Sequence, residues 1–576
     1  MQSWDSVFAP RQLLALAIFL EAKNEVCAEM YKELGKEKST AIETYFGLLL
    51  DGAAVYNNRG CRFNPERGIR SRFDRHDFAF VYSHAEFDAA NQLLSWAAFQ
   101  QEDAYAKISK LSSPTITLFA GQEKSPVDRL SVNQGTAANL PNLPDASVHN
   151  ITVDPPYYDN VQYAELSDFF YVWLKRSVGH LFPDFIHDEL TNKDDEAVAN
   201  PTRFVSTGSR AKKLAEEDYE RKMAACFREM NRVLHPDGVL TVMFTHKRVE
   251  AWDTLGSALI NAGFSVKASW PVHTESEYSL HQAKKNSAAS TILLVCRKRP
   301  SGGEAVWWDD IKNKVRQKAR EAAQQFSEAG IKGVDLYIST FGPVLSVISE
   351  QWPVLTAEVD ERTGQPRPLR PEAALDIARE EVIALRKRGL LQGRDARFDP
   401  VTDWYLMAWD AFKAAEFPAD EARKLAIALG VDLEATLVRE KRLIAKKASS
   451  VVLQEPPARR KKGMVDPEAE SYSSLVDALH TAQLVLEEDG DKACERFLKK
   501  TGLLTDSTFK ACLQSALNAI PAVRPEATDL ERLRSIFFDD LAPAPQEPEL
   551  EVGVVQMPLL AVEMEKEGEE DDEAEE

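Results

Sequence analysis

Cysteine is scarce in this 576-residue chain: six residues, Cys27, Cys61, Cys226, Cys296, Cys494 and Cys512, with no Cys-x-x-Cys pair among them. That scatter indicates neither a zinc site nor a disulfide framework, and the thiols read as reduced and mostly buried. No apolar run approaches the length that crosses a bilayer, and the first residues lack the charged-then-apolar pattern of a secretory signal. The expectation is a soluble, cytoplasmic protein. No internal repeat is present. A glycine-rich Phe-x-Gly-x-Gly loop is missing too. The nearest triplet, Phe119-Ala120-Gly121, has no second glycine at the required spacing and runs into Gln122-Glu123-Lys124, so it reads as loop.

Positive charge is in deficit as well, with a net charge of −21. Part of it is local: residues 563–576 hold ten acids against the single Lys566, the pattern of a self-repelling disordered tail. The remainder stays acidic, so any contact with nucleic acid must be confined to a patch. One patch stands out. Arg59, Arg62, Arg67, Arg70, Arg72 and Arg75 are interleaved with Phe63 and Phe73. Guanidinium groups grip phosphates and aromatic rings stack on bases, so this segment is a candidate DNA contact, against the alternative of a solvated loop paired with the protein's own acids. Lys175-Arg176 reads as the polar end of an amphipathic helix, and Arg459-Arg460-Lys461-Lys462 as a flexible Pro-containing tether or a DNA clamp.

Against these absences stands one short motif, Asp154-Pro155-Pro156-Tyr157, directly after the apolar run Ile151-Thr152-Val153. The amine nitrogen of adenine or cytosine is a poor nucleophile because its lone pair is delocalised into the ring. Acceptors beside its two N–H bonds pull it towards tetrahedral geometry, and Asp154 offers a carboxylate while Pro155 offers a carbonyl. Consecutive prolines stiffen the loop. Tyr157 supplies a flat face for a base flipped out of its duplex.

The surrounding pattern predicts a parallel α/β sheet with this loop at a strand's carboxyl end, where such sheets bind ligands. A turn at 140–145 leads into the strand. A helical period over about 219–234 ends at His235-Pro236-Asp237-Gly238, and Val239–Phe244 comes next as a nearly continuous apolar strand. Phe264–Trp270 and Thr291–Cys296 read as two closing strands, joined by a loop long enough to carry binding residues. His246, just past the strand beside the catalytic one, is either a base-pocket residue or a hydrogen-bonded core histidine. The stripe Phe169, Phe170, Tyr171, Trp173 and Leu174 reads as core under the loop.

The runs 154–161, 166–176 and 244–247 with Trp252, together with Asp399-Pro-Val-Thr-Asp-Trp-Tyr-Leu406, resemble the large adenine-specific DNA methylases of prokaryotes that carry an N-terminal domain of unknown function. The resemblance runs from about Trp4 to about residue 535. It implies that Asp154, Pro155, Pro156 and Tyr157 form the catalytic loop, that Gly135-Thr136-Ala137 lies near the cofactor's adenine, and that His246 lines the base pocket. It also implies S-adenosylmethionine as cofactor and DNA as partner. Members of the family carry the cofactor glycine loop upstream of anything resembling residue 1 here. This implies a second polypeptide carrying the cofactor-binding half, or a split or decayed gene.

The expected fold is α/β, a partial Rossmann-like methyltransferase sheet with helix-rich N- and C-terminal regions and an acidic disordered tail. The expected organisation is a helical, arginine-rich region over 1–112, the partial methyltransferase domain over 113–299 and a break at Pro300-Ser301-Gly302-Gly303. Beyond it lie a helix-rich domain over 304–450, with tight turns at 333–337 and 341–343, then a helical domain over 468–540 and a linker and tail over 541–576. Two functions are consistent with these features. One is an adenine-specific DNA amino-methyltransferase completed by a partner; the other is a non-catalytic DNA- or partner-binding component derived from one.

Overall fold

A computed structural model describes residues 3–545 apart from 66–67, 75–80, 113–115, 118–120, 123–129, 134, 160, 247–248, 274–289, 301, 332, 361–363, 448–449 and 462–464. Arg67, Arg75, the loop between the two closing strands and the acidic tail therefore lie outside the described residues. The chain divides into two compact units, 1–386 and 387–576. None of the helices among the described residues is long and apolar enough to cross a membrane.

In the first unit, Pro10 starts α1 (Pro10–Leu34), where a missing N–H leaves no bond unmade, and Gln12 Oε1 accepts the Ala9 N–H at 2.9 Å. Gly35, at φ 78°, takes the left-handed turn that lets α2 (Lys36–Tyr56) begin at once. A hairpin of β1 (Arg62–Asn64) and β2 (Gly68–Arg70) comes next, then α3 (Leu94–Ser112) and the short pair β3 (Ile116–Thr117) and β4 (Gly121–Gln122).

The main sheet is built from β5 (Val148–Val153), β6 (Leu234–Phe244), β7 (Phe264–His273) and β8 (Ser290–Lys298), in the order β5-β6-β8-β7. β5 and β6 are parallel, and β8 runs antiparallel to both its neighbours. Between β5 and β6 lie α4 (Tyr163–Ser177) and α5 (Ala211–Val233); α6 (Val249–Asn261) joins β6 to β7. His235-Pro236-Asp237-Gly238, expected as a turn, is a bulge within β6: pairing steps from Val148↔Leu234 to Asn150↔Val239.

Two-residue alternation assigns the faces. On β6, Leu240, Val242 and Phe244 are buried; across the ladder they pair with Cys296, Leu294 and Ile292, buried too. These side chains, with α5 and α6, form the core. The intervening Thr241, Met243, Leu293 and Val295 are only half-buried, and Trp270 beside Leu293 is 62% exposed. One sheet face is thus packed and the other partly open among the described residues. β5 pairs only with β6 there. Ile151 and Val153 rest on the core, while His149, Asn150 and Thr152 are exposed.

The core does not stop at Pro300. After β9 (Val306–Trp307), α7 (Trp308–Glu328) and α8 (Gly333–Glu350) supply Ile311, Val315, Phe341, Val344 and Leu345 to the same cluster. Residues 333–337 and 341–343, expected as tight turns, are helical. A Cβ on Gly342 would stand 2.3 Å from Ser269 Cβ, so that glycine serves the close approach of α8 to β7 and not a turn. A small sheet of β10 (Val354–Val359) between β9 and β11 (Pro366–Pro368) precedes α9 (Glu372–Leu391), in which the division between the units falls.

The second unit is mainly helical: α10 (Pro400–Phe412), α11 (Ala419–Ala428), α12 (Pro456–Lys461), α13 (Leu475–Asp489), α14 (Asp491–Lys500), α15 (Ser507–Ala519) and α16 (Pro525–Phe537), with a three-stranded sheet of β12 (Glu416–Pro418), β13 (Ile444–Lys446) and β14 (Ser450–Leu453). α10 is buried from Val401 to Phe412. Its N-cap Asp399 accepts the N–H groups of Val401 and Thr402 and also that of Leu475 at the start of α13.

Candidate active site

The alternation that sends Ile151 and Val153 inward sends Thr152 and Asp154 outward, so Asp154 is exposed where β5 ends. Its carboxylate has no hydrogen-bond or ion-pair partner among the described residues, and the same is true of the Pro155 carbonyl as acceptor. The next residues are pinned. The Pro156 carbonyl accepts the Tyr158 N–H at 3.0 Å and the Tyr219 hydroxyl of α5 at 2.7 Å. Tyr158 sits at φ 59°, with its ring edge-on to Tyr219 at 5.2 Å and its carbonyl accepting the Ala199 N–H at 2.9 Å. A non-glycine residue held left-handed costs about 1 kcal/mol or more, so the surrounding contacts must hold it there.

Tyr157 is half-buried and meets the edge of Phe244 at 5.5 Å. His246 continues the buried alternation of β6 and lies beneath the loop: its Nε2 is 3.2 Å from Asp159 Oδ1 and its carbonyl accepts the Trp252 indole N–H at 2.8 Å. It stands 4% exposed, a support behind the loop and not an open wall in front of it.

Three tyrosines complete the place, and the sequence assigns a role to none of them. Tyr219 anchors the loop. Tyr158 fills the space behind it. Tyr163, at the first turn of α4 and 53% exposed, is close enough to Asp154 that burial, then the carboxylates of Asp154 and Glu196, raise its hydroxyl above the ordinary tyrosine value. Glu196 in turn accepts the Ala164 N–H at the start of α4, at 2.9 Å. No periodic pattern distinguishes these tyrosines from core residues; only the three-dimensional contacts do.

α4 comes after the loop, and its aromatic stripe packs away from the sheet. Phe169 stacks on Phe8 at 5.8 Å and Trp173 meets Phe8 edge-on at 5.6 Å, so the stripe forms the core of the N-terminal helices and does not lie under the loop. Aromatic pairs of this geometry add about 0.5–1.5 kcal/mol each beyond burial. The loop is thereby held between two cores.

The arginine segment is divided. Arg59 is exposed, Arg62 and Arg70 face each other across the β1–β2 hairpin half-buried, and Phe63 is exposed. Arg72 is 4% exposed and cannot reach a phosphate; a Cβ on Gly60 would stand 2.1 Å from its Nη1. Phe73 is equally unavailable for a base, stacked on Phe170 at 5.2 Å. That contact joins the hairpin region to α4. Lys175 and Arg176 bond to the backbone carbonyls of Asp188 and Val172.

Gly135 and Thr136 lie in an exposed turn closed by Asn139 N–H on Thr136 O. The segment after it is tied to the end of α5, where Glu229 accepts the Leu140 N–H and Arg232 donates to the Leu140 and Leu143 carbonyls. It enters β5 at the end opposite Asp154, and no contact joins the two places among the described residues. Compared with protein-family models, with curated proteins and with solved structures, this chain matches none.

Proposed function

We propose that the Asp154 loop is the amine-binding side of an S-adenosylmethionine-dependent DNA amino-methyltransferase acting on the exocyclic amine of adenine. The observation that carries the reading is the division within one loop. The Asp154 carboxylate and Pro155 carbonyl are unengaged side by side, while Pro156 and Tyr158 are fixed from three directions. An acceptor pair held by rigid neighbours meets the positive charge that develops on an amine under attack without reorganising. A base turned out of its duplex places its amine N–H bonds against that pair, and Tyr157, braced by Phe244, offers the stacking face. Tyr219 and Tyr158 position the loop from behind.

The sheet supports the same reading. Strand, helix, strand, helix and a final antiparallel pair, with β8 inserted between β6 and β7, fit the second half of a Rossmann-like methyltransferase sheet, in line with the resemblance to adenine-specific DNA methylases.

The described residues do not make a place for S-adenosylmethionine. Gly135 and Thr136 sit in an exposed turn at the far end of β5, with no glycine loop beside them. We therefore assign the described residues the amine side, and the cofactor half to a segment outside them, on this protein or on a second polypeptide, that pairs along the β5 edge left unpaired among the described residues and covers the half-open face of Met243, Leu293 and Trp270. Covering such apolar surface returns about 25 cal/mol per Å², and an uncovered edge strand is a liability proteins avoid.

The alternative, a non-catalytic DNA- or partner-binding component, draws on the missing cofactor place and on the acidic balance of the chain. Tritiated-methyl incorporation into unmethylated DNA separates the two readings, measured for this chain with the product of the adjoining gene. Incorporation is expected only with both, lost in Asp154→Ala and reduced through a raised KM for DNA in Tyr157→Ala. Full activity of Asp154→Ala removes the site assignment. Micromolar binding of S-adenosylmethionine by this chain alone, in a calorimetric titration, removes the partner.

A further inference from the structure

A second built site lies within the 387–576 unit. Tyr405 and Trp409 of α10, His480 and Glu487 of α13, the prolines that open α12, and Pro525, Glu526 and Asp529 of α16 enclose a cavity of about 210 Å³. That is the volume of about seven water molecules.

Behind its His480 wall lies an ion cluster. Arg459, expected from the sequence to lie in a flexible tether or a DNA clamp, is fully buried at 0% exposure. Its guanidinium donates to the Asp477 carboxylate, to the Lys441 carbonyl and, at 3.0 Å, to His480 Nδ1. Arginine has donors only, so His480 Nδ1 must be the acceptor. Burial, and then the Arg459 charge, hold His480 well below the ordinary histidine value, so the ring is neutral and its single proton sits on Nε2. His480 is 1% exposed and lines the cavity, and its ring makes no other hydrogen bond among the described residues. Its Nε2 is not sealed in the interior, so the N–H opens onto the cavity, where a ligand oxygen can accept it.

The walls ask for the opposite charge. Arg524 lies over the Trp409 ring at 5.6 Å and bonds Glu526, so that lining carboxylate is already engaged by the protein's own guanidinium. Glu455, Glu487 and Asp529 remain at the exposed mouth of the cavity, and none of the three forms an ion pair among the described residues. Burial, and then the carboxylates of Glu487 and Glu526, outweigh the opposing charge of Arg532 and hold the Asp529 carboxyl above the usual carboxylate range. A cation entering here relieves that crowding.

We propose that this cavity binds a basic amino-acid group, its ammonium or guanidinium set among Glu455, Glu487 and Asp529 and its carbonyl oxygen accepting the His480 Nε2 proton. The chemistry is shared by a free basic amino acid and by a lysine or arginine within a peptide. The two sources differ at the α-amine and the carboxylate, which are charged in the first and blocked in the second.

Calorimetric titration of the full chain tests the proposal with L-arginine, L-lysine, their N-acetyl methylamides and, as the neutral isostere, N-acetyl-norleucine methylamide. Binding of the basic probes at least tenfold tighter than the norleucine probe is expected. Preference for the capped forms identifies a peptide as the source, and preference for the free forms identifies the amino acid. The double variant Glu487→Gln, Asp529→Asn removes like charges, so it is expected to keep its thermal midpoint while weakening the basic probes at least tenfold. The His480 Nε2 nitrogen resonance is expected to shift on saturation with the tightest basic probe. Equal binding of norleucine and arginine derivatives, binding of no probe at millimolar concentration, or unchanged affinity in the double variant overturns the proposal.

Discussion

The dipeptide Asp-Pro occurs at three places, and two of them, Asp154-Pro155 in the first unit and Asp399-Pro400 in the second, use it in opposite ways. In the second unit Pro400 occupies the first turn of α10, which leaves Asp399 as its N-cap. That carboxylate accepts Val401 N–H at 3.1 Å, Thr402 N–H at 3.0 Å, the Thr402 hydroxyl at 2.6 Å and Leu475 N–H at 3.0 Å. In the first unit Pro155 stands just past the end of a strand, no helix begins there, and the Asp154 carboxylate has no hydrogen-bond or ion-pair partner among the described residues. The backbone on the far side of the proline decides whether the acid serves the fold or is available for chemistry.

The comparison breaks most visibly at Asp399. Removing it leaves two N–H groups at the start of α10 and one at the start of α13 without their acceptor. An N-cap is worth about 1 kcal/mol, and an orphaned buried donor costs about 1–3 kcal/mol. Asp399→Ala is therefore expected to destabilise the second unit by about 3 kcal/mol, read as a shift of its urea midpoint tracked by fluorescence of the buried Trp404 and Trp409. A loss below about 1 kcal/mol would mean that the cap carries little of the fold.

A third carboxylate sharpens the contrast, because it serves neither end. Asp51 of α2 is 7% exposed, and its Oδ1 has no hydrogen-bond partner among the described residues. Burial alone pushes its carboxyl up to about 8. The folded value is raised above the unfolded one, so the contribution of Asp51 to stability is fully present below about pH 4 and is lost as pH rises through about 8. Asp51→Asn keeps the shape without the charge. It is expected to stabilise the chain by about 5 kcal/mol at about pH 9 and to leave it unchanged at about pH 4, a difference read from thermal midpoints across that range. Equal midpoints at the alkaline end would mean that water or a rearranged α2 solvates the carboxylate.

The strands were legible because apolar runs and two-residue alternation are local. β5, β6 and the two closing strands stand where those patterns put them, and the Asp154 loop comes directly after β5. What escaped was set by distant partners. Arg459 resembles a solvated linker residue in a basic run, yet Asp477 and His480, a helix away, make its burial possible. Gly342-Pro343 resembles a turn, and only Ser269 on a remote strand explains the glycine inside a helix. Arg72 and Phe73 resemble a nucleic-acid surface until Gly60 and Phe170 are seen beside them. Tyr219 carries no mark at all in the sequence, because its function is a single bond to the Pro156 carbonyl.

The smallest stability effect belongs to Asp154, and its smallness is the point. A residue whose carboxylate is exposed and unpaired contributes to folding within about 0.5 kcal/mol, so Asp154→Ala should unfold with the same thermal midpoint as the parent chain. Tyr163 supplies an internal reporter. The Asp154 charge helps to raise its hydroxyl, so the substitution is expected to lower the Tyr163 titration midpoint while leaving burial and Glu196 to hold it above the ordinary value. Ultraviolet difference titration, with Tyr163→Phe identifying the signal, reads this without any methyl donor or partner. A variant that loses methyl transfer, keeps its midpoint and shifts Tyr163 marks Asp154 as a residue kept for chemistry, the reverse of Asp399. A variant that loses stability by as much as Asp399→Ala would show that the exposed carboxylate supports the loop, and the contrast between the two Asp-Pro sites would fail.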